Sequence, residues 1–132
     1  MTGNTELTFF HQQVLQFKKT VFNKEHLYEP AKQAKKFMDD HFAAPIDIDA
    51  IAAKAFLSKF HFIRLFKALY GITPYQYLSS VRIEKAKQLL RKGHNITDAC
   101  FAVGFESVTS FSGLFKKSTG YSPAAFSKKH KK

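Results

Sequence analysis

The middle of the chain reads GITPYQYLSSVRIEKAKQLLRKG (residues 71–93), and this stretch decides how the rest is arranged. Thr73 and Gln76 are spaced as a capping box, whose side chains bond free backbone N–H groups at the start of a helix. Pro74 suits the first helical position, because its ring fixes a helical φ and its missing N–H is not needed there. The pattern predicts a helix from Pro74 to Arg91, which at about 1.5 Å per residue would be about 27 Å long.

The apolar residues of this predicted helix do not form one narrow stripe. A helix that packs against neighbours on two sides shows such a pattern, because both sides are partly buried. The sequence therefore predicts a linker helix that lies wedged between two other parts of the fold. Its apolar residues are Leu78, Val81, Ile83, Ala86, Leu89 and Leu90.

The segments on either side of the linker helix resemble each other. Eleven residues between positions 46 and 74 recur 49 positions further along the chain, without a gap. Many of them fall at helical spacing, as a shared packing scheme requires. We interpret the chain as one small unit that is present twice. The recurring residues are Asp49, Ala50, Ala53, Phe56, Ser58, Phe62, Leu65, Phe66, Lys67, Gly71 and Pro74.

The first unit is predicted to consist of two short helices with a turn between them. Asp47 can cap a helix that runs to about Ala53. Ser58 can cap a second helix that runs to about Leu69, and Gly71 stands at the usual glycine position after a helix end.

The second unit shows the same arrangement. Asn95 or Thr97 begins its first helix, and Gly104 supplies the turn. Ser107 caps its second helix, which is expected to end before Gly120. Two helices joined by a short turn are typical of proteins that place the second helix in the DNA major groove. Because one turn of DNA is about 34 Å long, the linker helix can set the two second helices in successive major grooves.

The positive charge of the chain is concentrated in its second part. The 132 residues carry a formal net charge of +11, yet residues 1–49 have a net charge of −1 and residues 50–132 one of +12. This asymmetry favours a polyanionic partner, with nucleic acid first and an anionic membrane surface second. A basic surface that serves only solubility is the alternative interpretation.

Composition also argues against several classes of protein. The single cysteine, Cys100, excludes an internal disulfide and a cysteine-rich zinc site. No stretch approaches the roughly 18 apolar residues of a membrane span. Residues 1–13 lack the basic region of a secretory signal. We expect a cytoplasmic protein that has no membrane partner.

With its two linked units, the chain resembles the DNA-binding module of the AraC/XylS family of bacterial transcription regulators over about residues 31–127. The resemblance implies an all-α fold of seven helices, in which two helix-turn-helix subdomains are joined by a long linker helix. It also implies a sequence-specific regulator of transcription, and an activator, with double-stranded DNA and RNA polymerase as partners. The family commonly has a glycine in the first turn, where this chain has Ala55 and Phe56. The residues that carry the resemblance are Gly71, Pro74, Tyr77, Arg82, Ala86, Leu89 and Leu90, followed by Gly104, Phe105, Phe111, Phe115, Lys116, Gly120, Ser122, Pro123 and Phe126.

The N-terminal segment has apolar residues at the spacing of an amphipathic helix. Such a helix needs a partner surface, because short helices are marginally stable alone. Three partners stay open, namely the DNA-binding module, a second copy of the chain in a homodimer, or a sensory domain that most family members carry. The apolar residues are Leu7, Phe10, Val14, Phe17 and Val21.

The expected organisation has three parts. The first helix of the DNA-binding domain is predicted to begin at Pro30, with a linker at residues 23–29. The expected boundaries are 1–29 for the N-terminal helix and linker, 30–127 for the domain, 47–70 and 95–119 for its helix-turn-helix units, 74–91 for its linker helix, and 128–132 for a basic tail.

The second helix of the first unit offers the better set of DNA-reading side chains. Arg64 is the leading candidate for a base contact, because its guanidinium can bond O6 and N7 of guanine together. Phe60 and Ile63 can contact thymine methyl groups, and burial against the first helix or the N-terminal segment is the alternative for both. The predicted base contacts of this unit are Phe60, His61, Ile63 and Arg64, and its predicted phosphate contacts are Lys54, Lys59 and Lys67.

The second unit has the poorer reading helix. Phe111, Leu114 and Phe115 are expected in the core. Gly113 falls at the repeat position of Arg64, so this unit lacks the arginine of the first. We therefore predict that the first unit performs most of the direct base readout. The predicted base contacts here are the hydroxyls of Thr109, Ser110 and Ser112, and the predicted phosphate contacts are Lys116 and Lys117.

Catalysis, metal binding and a cofactor are not expected. Cys100, at the repeat position of Ile51, is predicted to be a buried packing residue. The six histidines lie singly, without the spacing of metal ligands. No glycine-rich phosphate loop or nucleophile elbow occurs. Two other functions stay open, namely a non-specific architectural nucleic-acid-binding protein and an adaptor that binds protein through Phe60 and Ile63.

Overall fold

The computed structural model describes residues 12–13 and 24–130 of the chain, and residues 24–130 form seven α-helices and no strand. The predicted all-α fold is confirmed. The apolar residues expected to form an N-terminal amphipathic helix lie outside the described residues. The helices are α1 (Lys24–His41), α2 (Ile48–Lys54), α3 (Lys59–Tyr70), α4 (Pro74–Arg91), α5 (Ile96–Ala102), α6 (Val108–Thr119) and α7 (Pro123–His130).

The first helix-turn-helix unit comprises α2 and α3, and its ends are set by local hydrogen bonds. The Asp47 carboxylate accepts the Asp49 N–H at 2.9 Å, and the Ser58 hydroxyl oxygen accepts the His61 N–H at 3.1 Å. After α3 the backbone turns left-handed at Gly71, where φ is +81°. The predicted caps of this unit are confirmed.

The second unit comprises α5 and α6 and repeats the pattern. Asn95, and not Thr97, caps α5, because its side-chain oxygen accepts a first-turn N–H at 2.8 Å. The Ser107 hydroxyl oxygen accepts the Ser110 N–H at 3.1 Å, and Gly120 follows α6 with φ +82°. Each unit therefore presents a twelve-residue second helix that begins at a capping serine.

The linker helix α4 begins and ends where the sequence predicts. The Thr73 hydroxyl accepts the Gln76 N–H at 3.1 Å, while the Gln76 side chain accepts the Thr73 N–H at 2.9 Å. Leu78 packs into one cluster of buried residues and Ile83 into another. The expectation of a helix buried on two sides is confirmed.

The two clusters form the cores of the two halves of the domain. Phe42, which follows α1, packs against both of them. The first core consists of Ala31, Ala34, Met38, Ile48, Ala52, Phe62, Phe66 and Leu78. The second core consists of Ile83, Ala86, Leu90, Ala99, Cys100, Val103, Phe105, Phe111, Phe115 and Phe126.

The expected start of the first helix is wrong. Helix α1 begins at Lys24, so residues 24–29 belong to the helix and not to a linker. Pro30 lies inside the helix, although proline favours the first helical position. Its ring lines a groove together with Ala34 and Ile51, and its missing N–H removes one hydrogen bond of the helix.

The expected basic tail is also wrong as far as the structure describes it. Lys128 and His130 lie in the last turn of α7. The His130 ring is 4.3 Å from the buried Phe126 ring, and Lys129 Nζ is 2.6 Å from the Tyr121 hydroxyl. These contacts extend the helix past the predicted boundary at residue 127. Residues 131–132 lie outside the described part of the chain.

The two units are related by two different shifts, and not by 49 positions throughout. Ser58 and Ser107 cap α3 and α6 in the same way, which keeps the shift of 49 for these helices. The caps of α2 and α5, Asp47 and Asn95, are 48 positions apart. The shift of 49 therefore holds from the capping serine of each second helix onward, and the first helices are related by a shift of 48.

Backbone hydrogen bonds locate the extra residue of the second unit. The Leu57 N–H donates to the carbonyl five residues earlier at 3.0 Å, and the Phe105 N–H does the same at 3.2 Å. Leu57 directly precedes its capping serine, whereas Glu106 separates Phe105 from Ser107. Cys100 consequently corresponds to Ala52, not to Ile51, because hydrogen bonds fix helix register while a turn accommodates an insertion.

Candidate nucleic-acid interface

Helix α3 divides its side chains between the first core and the solvent. Phe62 and Phe66 are fully buried, and they anchor one face of the helix. Arg64 and His61 are exposed on the rest of the surface, and Ile63 is half-buried. Three of the four predicted base contacts of this helix, namely Phe60, His61 and Arg64, are therefore exposed.

Phe60 is the most exposed residue of its size on this helix. It lies in the first turn of α3 and is 71% exposed. Phe60 is therefore not buried against α1, while the N-terminal segment, the other alternative from the sequence, lies outside the described residues. An apolar ring at the first turn of a helix can contact a thymine methyl group in the major groove.

The lysines predicted to contact phosphate are all exposed. Lys54 ends α2, while Lys67 lies in the last turn of α3. Lys59 Nζ is 3.7 Å from an Asp49 carboxylate oxygen and 6.0 Å from the Tyr75 ring centroid. Lys59 thus already pairs with an acidic side chain, and a phosphate group would have to compete with that ion pair.

Helix α6 is built in the same way but presents a different surface. Phe111 and Phe115 are fully buried, whereas Leu114 is 38% exposed, so its expected place in the core is wrong. The reason is geometric, because Leu114 lies one residue before Phe115 and is therefore rotated about 100° from it. The predicted DNA contacts of this helix are exposed, except for Ser112, which is half-buried. The exposed ones are Thr109, Ser110, Lys116 and Lys117.

Gly113 leaves an open space at the centre of this surface. A Cβ atom placed on Gly113 would have no heavy atom within 4 Å. Because α3 and α6 keep the shift of 49, Gly113 is the structural counterpart of Arg64. The two recognition helices, α3 and α6, therefore differ at their equivalent central positions, where one has an arginine and the other no side chain.

Neither recognition helix contains Asp or Glu. Helix N-termini carry a partial positive charge from their aligned peptide dipoles. Full positive charges are added by lysine and arginine side chains on α3 and by lysine side chains on α6. The two surfaces are therefore suited to a polyanion.

Arg82, which lies in the middle of α4, has a structural role that sequence analysis did not predict. The guanidinium bonds two backbone carbonyls near the end of α1 and lies over the Phe105 ring of the second unit. Arg82 is one of the residues that carry the family resemblance, but only the tertiary structure identifies its partners. Arg82 lies between the two halves of the domain and away from the predicted base contacts.

The described residues include no group of His, Cys, Asp and Glu side chains that could hold a metal ion. Cys100 is fully buried, and burial raises the pKa of its thiol. This burial confirms the prediction of a packing residue. Among the described helices, none is long and apolar enough to cross a membrane.

A family described as "Helix-turn-helix domain" matches residues 51–129. The MmsAB operon regulatory protein of Pseudomonas aeruginosa is 38% identical over 91 residues, covering 68% of this chain and 30% of that protein. The HTH-type transcriptional activator RhaS of Escherichia coli is 36% identical over 88 residues, covering 66% of this chain and 32% of that protein. The chain thus spans about a third of the length of these curated relatives.

Solved structures agree with the fold. The C-terminal domain of AraT, a response regulator from Geobacillus stearothermophilus, has a TM-score of 0.72 and 26% identity, and the match covers 78% of this chain and 87% of that one. The DNA-binding domain of AdpA, a global transcriptional factor solved in complex with a target DNA, has a TM-score of 0.70 and 29% identity. That match covers 76% of this chain and 91% of the other.

Proposed function

The chain belongs to the AraC/XylS family of DNA-binding transcription regulators, and on that premise we propose that it reads a specific DNA sequence by inserting α3 and α6 into successive major grooves. The family is one of regulators and not of enzymes. The observation that carries the proposal is the pair of exposed, acid-free recognition helices on either side of α4.

The length of α4 supports simultaneous insertion. Its 18 residues span about 27 Å at 1.5 Å per residue. Successive major grooves on one face of a duplex are separated by about 34 Å. A recognition helix packed beside each half of α4 is therefore compatible with two adjacent half-sites.

The two half-sites are proposed to be read differently. Arg64 would bond O6 and N7 of a guanine in the first half-site, and Phe60 with Ile63 would contact neighbouring thymine methyl groups. His61 would reach a base edge from the same turn. In the second half-site the contacts would come from the hydroxyls of Thr109, Ser110 and Ser112. Gly113, by contrast, offers no side chain for readout.

Lysines are proposed to fix the protein on the phosphate backbone without reading sequence. Each neutralised phosphate releases counterions, so the logarithm of affinity should fall with the logarithm of salt by about 0.9 per contact. The proposed phosphate contacts are Lys54, Lys59, Lys67, Lys116 and Lys117.

Activation of transcription is the sign of regulation that we propose. The support is the similarity to RhaS, which is an HTH-type transcriptional activator. RNA polymerase would then be the second partner. Transcription from a promoter that carries the selected site should rise when the protein is added to purified polymerase, whereas repression would contradict this part of the proposal.

Selection of bound duplexes from a random pool, followed by sequencing, tests sequence reading. We expect an asymmetric motif with two parts about one DNA turn apart and a guanine in one part only. Arg64→Ala should weaken binding to the selected duplex by about 1–3 kcal/mol and relax the preference for that guanine. Lys67→Ala, three residues after Arg64 on the same helix, is the matched control, and it should weaken binding to all sequences alike.

A non-specific architectural protein is the competing function. It predicts that the selected and random duplexes bind with similar affinity at about 150 mM salt, whereas specific binding exceeds non-specific binding by at least about 10³-fold. If no motif emerges from the selection, the regulator proposal fails. If Arg64→Ala leaves DNA affinity unchanged, the proposed reading of guanine by α3 fails.

A further inference from the structure

The junction between the two halves of the domain is centred on Arg82. Its Nε donates to the Phe42 carbonyl oxygen at 2.7 Å, and a terminal guanidinium nitrogen donates to the Ala44 carbonyl oxygen at 3.0 Å. Both carbonyls follow the end of α1, which belongs to the first half. Arg82 lies on α4, so these two bonds fix the loop after α1 to the linker helix.

The same guanidinium contacts the second unit. Its central carbon is 5.8 Å from the Phe105 ring centroid, a distance typical of a cation–π contact. Gly104 lies so close that an added Cβ would be 2.9 Å from Arg82 Nε and 3.0 Å from the Phe42 carbonyl oxygen. The turn between α5 and α6 is therefore packed directly against the bonded loop of the first half.

Few other side chains bridge the halves in the described part of the chain. The Phe42 ring packs against both cores, and Lys85 Nζ lies 5.6 Å from its centroid. Burial lowers the pKa of Arg82, because the charged guanidinium loses hydration there. Hydrogen bonds to carbonyl oxygens and the face of an aromatic ring replace that hydration.

We infer that Arg82 is a positioning residue that fixes α6 relative to α3 and thereby sets the half-site spacing that the protein accepts. This inference rests on the proposed function, since spacing matters only if both helices bind one duplex. The hydrogen bonds of Arg82 hold the loop before α2, and its contacts with Phe105 and Gly104 hold the turn before α6 against the same guanidinium. A rigid pair of modules gains from the second half-site only when the distance and angle between half-sites match.

The experiment compares duplexes that carry the selected motif with the spacing between its two parts changed by one or two base pairs. One added base pair turns the second half-site by about 34° around the duplex, since a helical turn has about 10.5 base pairs. The wild type should lose about tenfold or more in affinity on such a change. Arg82→Met, which keeps the apolar stem but removes both hydrogen bonds, should lose less than about threefold.

Arg91→Met is the matched control. Arg91 lies on the same helix, and its guanidinium contacts Phe126 within the second half only, at 5.4 Å. This variant should keep the wild-type dependence on spacing. Gly104→Ala should weaken that dependence as Arg82→Met does, because its Cβ displaces the guanidinium from the other side.

The outcomes separate the inference from the proposed function. If Arg82→Met keeps the wild-type dependence on spacing, or loses affinity equally at every spacing, the positioning role is overturned. If Arg82→Met does not fold, the same comparison of spacings is made with Arg82→Lys, which keeps one charged donor group, and with Gly104→Ala. If the wild type binds one half-site as tightly as two, the proposed two-helix insertion fails.

Discussion

Phe56 and Gly104 occupy the same position in the turns of the two helix-turn-helix units. Both have positive φ angles, +59° at Phe56 and +101° at Gly104. Each donates its N–H to the carbonyl three residues earlier, to Ala53 at 3.0 Å and to Phe101 at 3.1 Å. Only glycine adopts such a backbone without steric cost, so the first turn is strained where the second is relaxed.

Phe56→Gly should therefore stabilise the protein, by about 1 kcal/mol, because the left-handed backbone costs a side-chain-bearing residue about that much. The Phe56 side chain is 96% exposed, so its removal sacrifices no packing. Thermal unfolding followed by circular dichroism should show a melting temperature about 4 °C higher. Phe56→Ala keeps the Cβ atom and is the control. Equal melting temperatures for the glycine and alanine variants would show that the backbone at this turn carries no strain.

Two glycines of the second unit should respond in opposite directions to substitution by alanine. Gly104→Ala combines a left-handed backbone with contacts below 3.1 Å to three atoms, and it should destabilise the protein by about 2 kcal/mol or more. Gly113→Ala lies within α6 in open space and should stabilise it by about 0.5–1 kcal/mol. Chemical denaturation of both variants measures the difference. The same sign for both would contradict the described environment of these glycines.

Asp49 is predicted to weaken DNA binding by holding Lys59. Asp49→Asn removes the ion pair at 3.7 Å, and affinity should rise up to about fivefold at low salt, since exposed pairs are worth about 1 kcal/mol at most. The gain should shrink as salt screens the pair. Fluorescence anisotropy with the selected duplex at several salt concentrations measures it. In a Lys59→Ala background the gain should be smaller, and an undiminished gain would show that Asp49 acts on DNA directly.

A polar network joins α1 to α4 at the first half of the domain. Lys35 Nζ is 3.1 Å from an Asp39 carboxylate oxygen, and the Tyr77 hydroxyl donates to the other oxygen. The hydrogen bond with Asp39 is the main cause that raises the pKa of Lys35 above its ordinary 10.5. Burial, followed by the bond to Asp39, raises the pKa of Tyr77 above its ordinary 10.0. Both groups therefore hold their protons more tightly in the folded protein.

Stability should fall as pH rises above about 10. A raised pKa in the folded state stabilises the protein fully below the unfolded-state pKa, and this contribution is lost as pH rises through the folded-state pKa. Tyr77→Phe removes one of the two groups. The variant should therefore lose less unfolding free energy than the wild type between pH 8 and 11.5, as measured by urea denaturation. At pH 7 the variant should be less stable by about 1.5–3 kcal/mol, because a hydrogen bond to a carboxylate is lost. Tyr75→Phe, at an exposed tyrosine, should leave the pH profile unchanged, and an unaltered profile for Tyr77→Phe would refute the role of the network.

Local chemistry made most of the helix ends predictable. Asp47, Ser58, Thr73 and Ser107 each bond a backbone N–H within the next three residues, so the sequence alone contains both partners. The positive φ at Gly71 follows from the same kind of local rule. The exposed face of α3 was predictable because two buried phenylalanines four residues apart fix its orientation.

The features that sequence reasoning missed depend on residues far apart in the chain. Pro30 lies inside α1, where its ring lines a groove with Ile51, a residue 21 positions further along the chain. Arg82 bonds carbonyls about 40 residues away. The one-residue insertion at Glu106 was hidden because chance identities, such as Phe56 with Phe105, favoured an alignment without a gap.

The uninterrupted helix α4 has a consequence for how such a regulator can acquire new target genes. Inserting or deleting one residue in it would rotate one half of the domain by about 100° relative to the other and disrupt the junction at Phe42. Small changes in chain length therefore cannot tune the protein gradually to promoters with altered geometry. Under the proposed function, new operators would be reached mainly by exchanging single side chains on the recognition helices, and a side chain at Gly113 would add a contact where α6 now has none.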